Sequence, residues 1–435
     1  MKSYVITSAQ GNAKVHKNFL NSLHRYCSEK EAELIVLPMK GKTHEEDTLD
    51  SLLSEEKILT TQLYLNNKIK ISNFEILPQQ IDPTTGLARF THTDHSTIFA
   101  ATKQRLNFIP NSNYKLPKTL MTTGAVTHPR YRENRIGKIA QRDHKYGAVV
   151  VDVVSDKKYH FRHIQATNNG HFVDLGMRYT DDKQSSPATL EALVLGDWHC
   201  GDTNPDVKRA TYEMIHHLKP KRIFLHDFFN GHSVNPHTKD DLISLSQSYK
   251  EGSVSLSREL QDAYLQLRDF AMQFDGEIVV VKSNHDEWLD KYFRSGQFVK
   301  NPINSYISSL ILPKVIEGQN PLKVGLSLCG ELPKQVRFLE RDEDYKIMGW
   351  QLGCHGDMGP HGTRGTMRGK EYAYGKSITG HSHVPFIFRD TYVVGTSTNL
   401  RLDYNQGPSA WFNCHAALYD NGKAQLIQIV DGNWK

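Results

Sequence analysis

Residues 192–199 read Ala192-Leu193-Val194-Leu195-Gly196-Asp197-Trp198-His199, a short apolar run that ends in a carboxylate and an imidazole. Four apolar residues bounded by a glycine predict a buried strand. The same arrangement, an apolar run followed by polar residues with oxygen or nitrogen donors, recurs four more times in the second half of the chain. The four further blocks are Ile223–Asp227, Ile278–Asp286, Trp350–Asp357 and Ser377–His383.

Stretches with helical periodicity lie between these strands. Apolar residues recur at helical spacing in Thr211–Leu218 and in Val254–Phe274, so both are predicted to be helices. Strands that alternate with helices indicate an α/β fold. Because ligand sites in such folds form at the carboxyl ends of the strands, we expect the polar ends of all five blocks to line one rim.

The donors at this rim are typical of a catalytic metal site. Asp197 and His199 are two residues apart, so an extended loop points both side chains the same way. The candidate ligands offer oxygen and nitrogen but no thiolate, which favours Mn, Fe or Zn over a structural cysteine-type zinc site. Two divalent ions on two carboxylates keep positive charge, which suits a phosphate ester. The candidates are Asp197, His199, Asp227, Asn284, His355, His381 and His383.

The order Asp-x-His, Asp, Asn-His-Asp, His and Gly-His-x-His across residues 190–400 resembles the calcineurin-like metallophosphoesterase superfamily. The resemblance implies a layered fold, a β-sandwich flanked by helices, and two divalent ions, with Mn²⁺ as the expected metal and a bridging hydroxide as the nucleophile. It places the first ion on Asp197, His199, Asp227 and His383. It places the second ion on Asp227, Asn284, His355 and His381.

The resemblance also implies catalytic roles for the Asn-His-Asp block. His285 is expected to contact the phosphate and to protonate the leaving oxygen, and Asp286 is expected to tune His285. Three positions depart from the family pattern without removing a ligand, and each changes the surroundings of the metals. They are His226 and Ser283, where the family has glycine, and Asn230, where it has an acidic residue.

Other histidines and cysteines near the blocks are predicted to have no chemical role. Cys200 and Cys354 are next to proposed ligands, and neighbouring side chains on an extended backbone point apart, so both are expected to pack. Four histidines are expected to lie on the surface or to pack, with His232 the most notable because it follows the second block closely. These are His217, His232, His237 and His361.

The N-terminal part of the chain has a different pattern. Tyr4–Thr7 and Ala32–Pro38 read as strands with a helical pattern between them, which predicts a βαβ opening. Residues 40–190 are mixed, and Gly147–Val154 reads as a strand. The polar stretch Asp181–Pro187 marks the predicted boundary. We therefore expect a separate mixed α/β domain at 1–185 and the catalytic domain at 190–435.

Positive charge is concentrated in the predicted N-terminal domain. The chain has 53 basic and 48 acidic residues, whereas residues 103–162 hold 13 basic and 4 acidic side chains. Such a block attracts a polyanion through counterion release, and Arg130 and Arg132 are its candidate phosphate contacts. A solvated basic face that binds nothing has the same composition.

A glycine-rich stretch after the fourth block also favours a nucleic-acid substrate. Glycines in Gly359–Lys370 allow a phosphate backbone to approach, and three cations there are candidate contacts, namely Arg364, Arg368 and Lys370. Three aromatic residues lie among basic ones and suit either base stacking or core packing, namely Trp288, Tyr292 and Phe293.

The sequence thus predicts a two-metal nuclease that hydrolyses DNA, similar to the SbcD-type and phage-encoded DNases of the superfamily. The N-terminal domain is expected to bind the polymer or to build a homo-oligomer. One alternative is a phosphatase or a small-molecule phosphodiesterase for a nucleotide or cyclic nucleotide. Another is a nucleic-acid-binding or assembly protein whose site is inactive.

Composition and targeting signals favour a cytoplasmic protein without a membrane partner. No apolar run approaches the ~20 residues that a membrane span needs. The stretch after Met1 has no apolar signal-peptide region. The five cysteines are an odd number without a CxxC pair, which favours a reducing compartment over a disulfide framework.

Overall fold

A computed structural model describes residues 2–41, 47–72, 74–90, 95–111, 116–238, 241–402 and 405–435. The chain forms two compact units, both built from helices and strands, so the predicted α/β class is confirmed. Unit 1 comprises Met1–Glu191, Val384–Val393 and Arg401–Lys435. Unit 2 comprises Ala192–His383 and Val394–Leu400. The sequence had instead assigned all of 190–435 to one continuous domain.

Unit 1 begins with the predicted βαβ opening, in which β1 and β2 pair in parallel with Ser3 opposite Ala32. Strands β10, β9, β1, β2 and β3 form a sheet in that order. The elements are β1 Lys2–Gln10, α1 Lys17–Lys30, β2 Ala32–Met39, β3 Lys57–Ile58, β4 Leu63–Tyr64, β5 Ile69–Ile71, β6 Ser96–Phe99, β7 Ala101–Ile109, β8 Lys118–Gly124, α2 Arg135–Asp143, β9 Gly147–Val153, β10 Tyr159–Gln165, β11 Phe172–Asp174, β12 Met177–Tyr179 and β13 Ser186–Pro187.

The core of unit 1 follows from the pattern of apolar and polar residues along these elements. The apolar face of α1, with Phe19, Leu20 and Leu23, packs in one buried cluster with Val5 and Val36 of the sheet. Burial of that apolar face, at about 25 cal/mol per Å², is the main stabilising contribution. Helix α1 ends at Glu31, which adopts a left-handed conformation with φ of 52° and so turns the chain into β2.

Unit 2 contains the alternating strands and helices that the five blocks predict. Strands β14, β15, β16 and β17 are neighbours in that order and run parallel, and β19 pairs in parallel with β20. The elements are β14 Leu190–Val194, α3 Pro205–Leu218, β15 Arg222–Leu225, α4 Leu242–Glu251, α5 Leu256–Gln273, β16 Glu277–Val280, α6 Asn284–Arg294, α7 Ser305–Ile316, α8 Pro321–Cys329, β17 Val336–Phe338, β18 Lys346–Ile347, β19 Trp350–Gln351, α9 Met367–Tyr374 and β20 Ser377–Thr379.

Side-chain caps define where the helices of unit 2 begin. Asn204 caps α3, Ser255 caps α5, and Ser283 caps α6 in a capping box with Asp286. The two helices predicted from periodicity are both present. Helix α3 starts six residues earlier than predicted, because Asn204 followed by proline at the first helical position is itself a start signal.

The C-terminal residues return to unit 1, which the sequence did not predict. They form β21 Phe386–Phe388, β22 Thr391–Val393, β23 Cys414–Tyr419 and β24 Ala424–Gln428. Strand β21 pairs with β7, while polar contacts hold β23 and β24: the buried amide of Gln425 donates to Asp174 at 2.8 Å, and the partly exposed Arg178 donates to both oxygens of Asp420 at 2.6 Å. In the described ranges, no helix has the length and apolar character to cross a membrane.

Candidate metal centre

Each of the five blocks follows a strand of unit 2. Asp197 comes three residues after β14, Asp227 two residues after β15, and His381 two residues after β20. Asn284 is the first residue of α6, just after β16, and His355 follows β19. The carboxyl ends of strands from two sheets, β14–β16 in one and β19 and β20 in the other, deliver the predicted ligands to one place, so the ligands do not line the rim of a single sheet as the sequence predicted.

Four of the predicted ligands form one buried cluster. The donor atoms of Asp197, His199, Asp227 and His383 all lie within 4.8 Å of one another. Nε2 of His383 lies 3.1 Å from Oδ2 of Asp197 and 3.1 Å from Nε2 of His199. This is the set that the resemblance assigns to the first ion.

The other three predicted ligands adjoin this cluster through Asp227. Nε2 of His355 lies 3.2 Å from Oδ2 of Asp227 and 3.1 Å from Oδ1 of Asn284. Oδ1 of Asn284 also lies 3.1 Å from Nδ1 of His381. All seven predicted ligands thus lie in one chain of donor-to-donor contacts, with Asp227 shared between the two sets.

The backbone at the ligands is strained. His199, Asp227, His381 and His383 all have positive φ, at 48°, 43°, 78° and 57°. A non-glycine residue in this region costs of the order of 1–3 kcal/mol. Such strain persists where the surrounding structure enforces it, and it is concentrated here at four of the seven proposed ligands.

The side chains present fit a divalent cation. Oδ1 of Asp197 and Oδ1 of Asp227 are buried and have no hydrogen-bond partner among the described residues. A buried unpaired carboxylate oxygen is costly unless a cation compensates it. Burial lowers the pKa of His199 to about 3, so its ring is neutral and able to coordinate. Oxygen and imidazole donors together suit Mn, Fe or Zn.

Two residues that the family pattern does not use as ligands shape this cluster. Nδ1 of His226 lies 3.4 Å from Nδ1 of His355, and burial lowers the pKa of His226 to about 3. Gly380 is tightly constrained, because a Cβ there would overlap Oδ1 of Asp197. The amide of His381 donates to Oδ2 of Asp197 at 2.8 Å, which requires this close approach.

His285 lies beside the cluster, with its ring centroid 4.7 Å from that of His199. Its Nδ1 donates to the backbone oxygen of Asn230 at 2.6 Å, and the Trp288 ring stacks on it with centroids 3.9 Å apart. The tuning of His285 by Asp286 stays a prediction, and the contact found for Asp286 is a different one. The Asp286 carboxylate accepts from the Ser283 amide at 3.0 Å in the capping box, and burial raises its pKa to about 7.

The predicted nucleic-acid contact at Lys370 is wrong. Lys370 is only 4% exposed, its ammonium donates to Thr379 at 2.9 Å, and burial lowers its pKa. It lies on the face of α9 that packs against β20. The charge of a side chain does not by itself indicate whether the residue lies on this face or on the exposed face of the helix. Arg364 and Arg368 are exposed and stay candidates.

The basic stretch of unit 1 is less exposed than its composition suggests. Lys103, Arg105 and Arg162 are at most 7% exposed. Arg162 instead holds Asp152 and Asp174 through buried ion pairs of 2.5 and 2.6 Å. Of the remaining basic residues Lys115 lies outside the described residues, while Arg132 is exposed and Arg130 half-buried.

The residues predicted to pack or lie on the surface do so. His217, His232, His237 and His361 are exposed, Cys200 is buried, and Cys354 accepts a hydrogen bond from Tyr374 at 3.4 Å. Tyr292 and Phe293 are buried, so they pack in the core. No role was predicted from the sequence for Asp202 or for the side chain of Asn230. The signal that could have indicated one is the asparagine at position 230, where the family pattern has an acidic residue.

Comparison with known proteins finds similarity to a phage protein but assigns no family. No family model matches the chain, and no solved structure matches it. The chain is similar to Protein A1 of Escherichia phage T5, with 27% identity over 464 aligned residues that cover 100% of this chain and 83% of the phage protein. That name states no activity, so the resemblance to metallophosphoesterases stays a prediction from the motifs.

Proposed function

We propose that this protein is a metal-dependent nuclease that hydrolyses DNA phosphodiester bonds with two divalent ions, Mn²⁺ by preference, held in unit 2. The observation that supports this most is the contact chain of seven proposed oxygen and nitrogen ligands, four of them in one buried cluster, in which Asp227 serves both sets. Two such ions, when bound, polarise a phosphoryl oxygen and lower the pKa of water to about 7. The free cysteines are compatible with the cytoplasm.

The side chains around the ligands supply the rest of the chemistry. His285 is the proton donor to the leaving oxygen, because its Nδ1 is engaged with Asn230 and its Nε2 is left for the substrate. Trp288 stacks on the His285 ring and fixes its plane. Exposed Arg364 and Arg368 in unit 2 are candidate contacts for the phosphates that flank the scissile bond.

Unit 1 offers a surface that suits the DNA backbone. The residues that line a cavity of about 580 Å³ include three cations, two carboxylates and two amides, namely Lys40, Arg130, Arg132, Asp47, Glu75, Gln10 and Asn134. The Gln10 amide donates to the Arg130 backbone oxygen at 2.7 Å, which fixes the loop that carries both arginines. Beside it, α2 exposes Arg135, Lys138 and Arg142. We assign phosphate binding to this surface.

The test is incubation of the purified protein with linear DNA, circular DNA and a chromogenic phosphodiester, with and without Mn²⁺. Cleavage of DNA that depends on Mn²⁺ supports the proposal, and cleavage of linear DNA alone indicates action from ends. Hydrolysis of the small diester without any action on DNA favours the small-molecule phosphodiesterase. DNA binding without turnover in Mn²⁺ favours an inactive site.

A further inference from the structure

A chain of hydrogen bonds leads from the proposed ligand His199 to the surface of unit 2. Nδ1 of His199 lies 3.1 Å from Oδ1 of Asn230. The Asn230 amide nitrogen donates to Oδ2 of Asp202 at 2.7 Å, and the same oxygen lies 3.1 Å from Nε2 of His232. Asn230 is 2% exposed, so its amide has no water to turn towards.

Only one assignment of donors and acceptors satisfies all of these hydrogen bonds. A carboxylate accepts hydrogen bonds and does not donate them, so Asp202 faces the NH₂ group of Asn230. The amide oxygen of Asn230 therefore faces His199, and Nδ1 of His199 must carry the proton. Nε2 of His199 is then left with a free lone pair, and it is this atom that faces Asp227 and His383.

The same residue also orients His285. The backbone oxygen of Asn230 accepts from Nδ1 of His285 at 2.6 Å. The side chain of Asn230 thus selects the tautomer of the ligand, while its backbone selects that of the proton donor. A change of side chain at position 230 or 202 therefore acts on His199 and leaves the acceptor of His285 in place.

The outer end of the chain is held by a half-buried carboxylate on α5. Glu259 of α5 accepts from the backbone amides of His232 at 2.8 Å and of Ser233 at 3.0 Å. This anchors the turn that follows Gly231, whose φ is 77°. The hydrogen bond from the His232 backbone amide to Glu259 therefore helps to keep the His232 ring next to Asp202, in addition to the contact between the two side chains.

We propose that Asn230, oriented by Asp202 and His232, is a positioning residue that keeps His199 in the tautomer able to bind metal. The inference rests on the metal centre of the proposed function but not on the substrate. Without Asp202 as an obligatory acceptor, the Asn230 amide is free to turn its NH₂ group towards His199. The proton then moves to Nε2 and blocks coordination.

The experiment compares Asp202→Asn with Asp206→Asn, a matched change on an exposed carboxylate four residues away. In the metal-free full-length protein, ¹⁵N-histidine spectra report which ring nitrogen of His199 carries the proton. Titration with Mn²⁺ alone reports affinity. We expect Asp202→Asn to populate the Nε2–H form and to bind Mn²⁺ ten- to a hundredfold more weakly, with Asp206→Asn unchanged.

Asn230→Asp is the conservative variant, since a carboxylate presents an oxygen to His199 whichever way it faces. It is expected to keep the Nδ1–H form and to bind Mn²⁺ more tightly than Asn230→Leu. An Nδ1–H form in Asp202→Asn together with wild-type affinity would overturn the inference. If wild-type protein binds Mn²⁺ but cleaves no DNA, the nuclease proposal fails while this comparison still decides the positioning role.

Discussion

The Nε2 atoms of His199 and His383 lie 3.1 Å apart, and both rings are buried. At this distance the two nitrogens can share one proton at most, and the carboxylate of Asp197 lies 3.1 Å from the second of them. Lone pairs on several atoms thus converge with few protons between them. A cation that accepts all of these lone pairs would resolve the conflict.

Replacing the shared carboxylate should empty the whole centre. Asp227 belongs to both ligand sets, so Asp227→Ala removes a ligand from each and leaves uncompensated imidazoles. We expect metal content after purification and dialysis to fall to the background level, measured by elemental analysis. Asp206→Ala, an exposed carboxylate change, is the control and should keep its metal. Full metal content in Asp227→Ala would rule out a bridging role.

Removing His285, the proposed proton donor, should separate chemistry from metal binding. His285→Ala deletes a side chain that contacts Asn230 and Trp288 but contributes no ligand atom in the proposed sets. Turnover of DNA should fall by about 10²–10⁴-fold, the usual contribution of a general acid. Metal content should stay normal, and exposed His361→Ala should be fully active. Wild-type turnover in His285→Ala is the result that contradicts the role.

The close contact between Gly380 and Asp197 predicts that a side chain at position 380 will clash with the Asp197 carboxylate. A Cβ at position 380 would overlap Oδ1 of Asp197 and press on Cβ of His226 at 3.1 Å. Gly380→Ala should displace the carboxylate and weaken Mn²⁺ binding by at least tenfold in a titration. Gly369→Ala is the control, because its closest new contacts are at 3.1 Å to the side chains of Pro360 and Thr366. Equal affinities in the two variants would mean that the loop adapts.

Acid should destabilise unit 1 through a buried histidine. Burial lowers the pKa of His163 to about 4 in the folded protein, against an ordinary value of 6.5. Between these values the unfolded chain binds a proton that the folded chain does not, so stability is full above pH 6.5 and falls as the pH drops towards 4. The loss is up to roughly 3 kcal/mol at 1.36 kcal/mol per unit.

The variant that checks this is His163→Gln, whose amide can still donate to the Thr122 oxygen that His163 contacts at 3.1 Å. Urea unfolding between pH 7 and 4.5 should show a shallower loss of stability than in the wild type. Exposed His361→Gln should follow the wild-type curve. A His163→Gln curve with the wild-type slope would show that this ring does not contribute to acid sensitivity.

Charge reversal at Arg132, which precedes α2, should change the salt dependence of DNA binding. Arg132 and Arg135 are exposed, and each phosphate contact that is lost lowers the slope of log affinity against log salt by about 1. Arg132→Glu is therefore expected to weaken binding at low salt and to flatten the slope. Lys323→Glu, an exposed change in unit 2, is the control. Identical slopes in both variants would place the DNA surface elsewhere.

The identities of the proposed ligands, their order and the strands that precede them followed from the sequence alone. Each of these is a local property, since an apolar run followed by a donor residue marks the end of a strand wherever the strand lies. The structure brings the candidate set from Asp197 to His383 together, while its role in metal binding stays a prediction. The βαβ opening was equally predictable, because periodicity over a few residues defines its elements.

Only the tertiary structure decided which side chains face inward and which hydrogen bonds they make. Lys370 and Arg162 are cations in the sequence, but packing places both in the interior. The C-terminal strands join unit 1 because Gln425 finds Asp174 some 250 residues away, a contact that no local pattern encodes. The orientation of the Asn230 amide likewise depends on Asp202 and His199, which come together only when the chain folds.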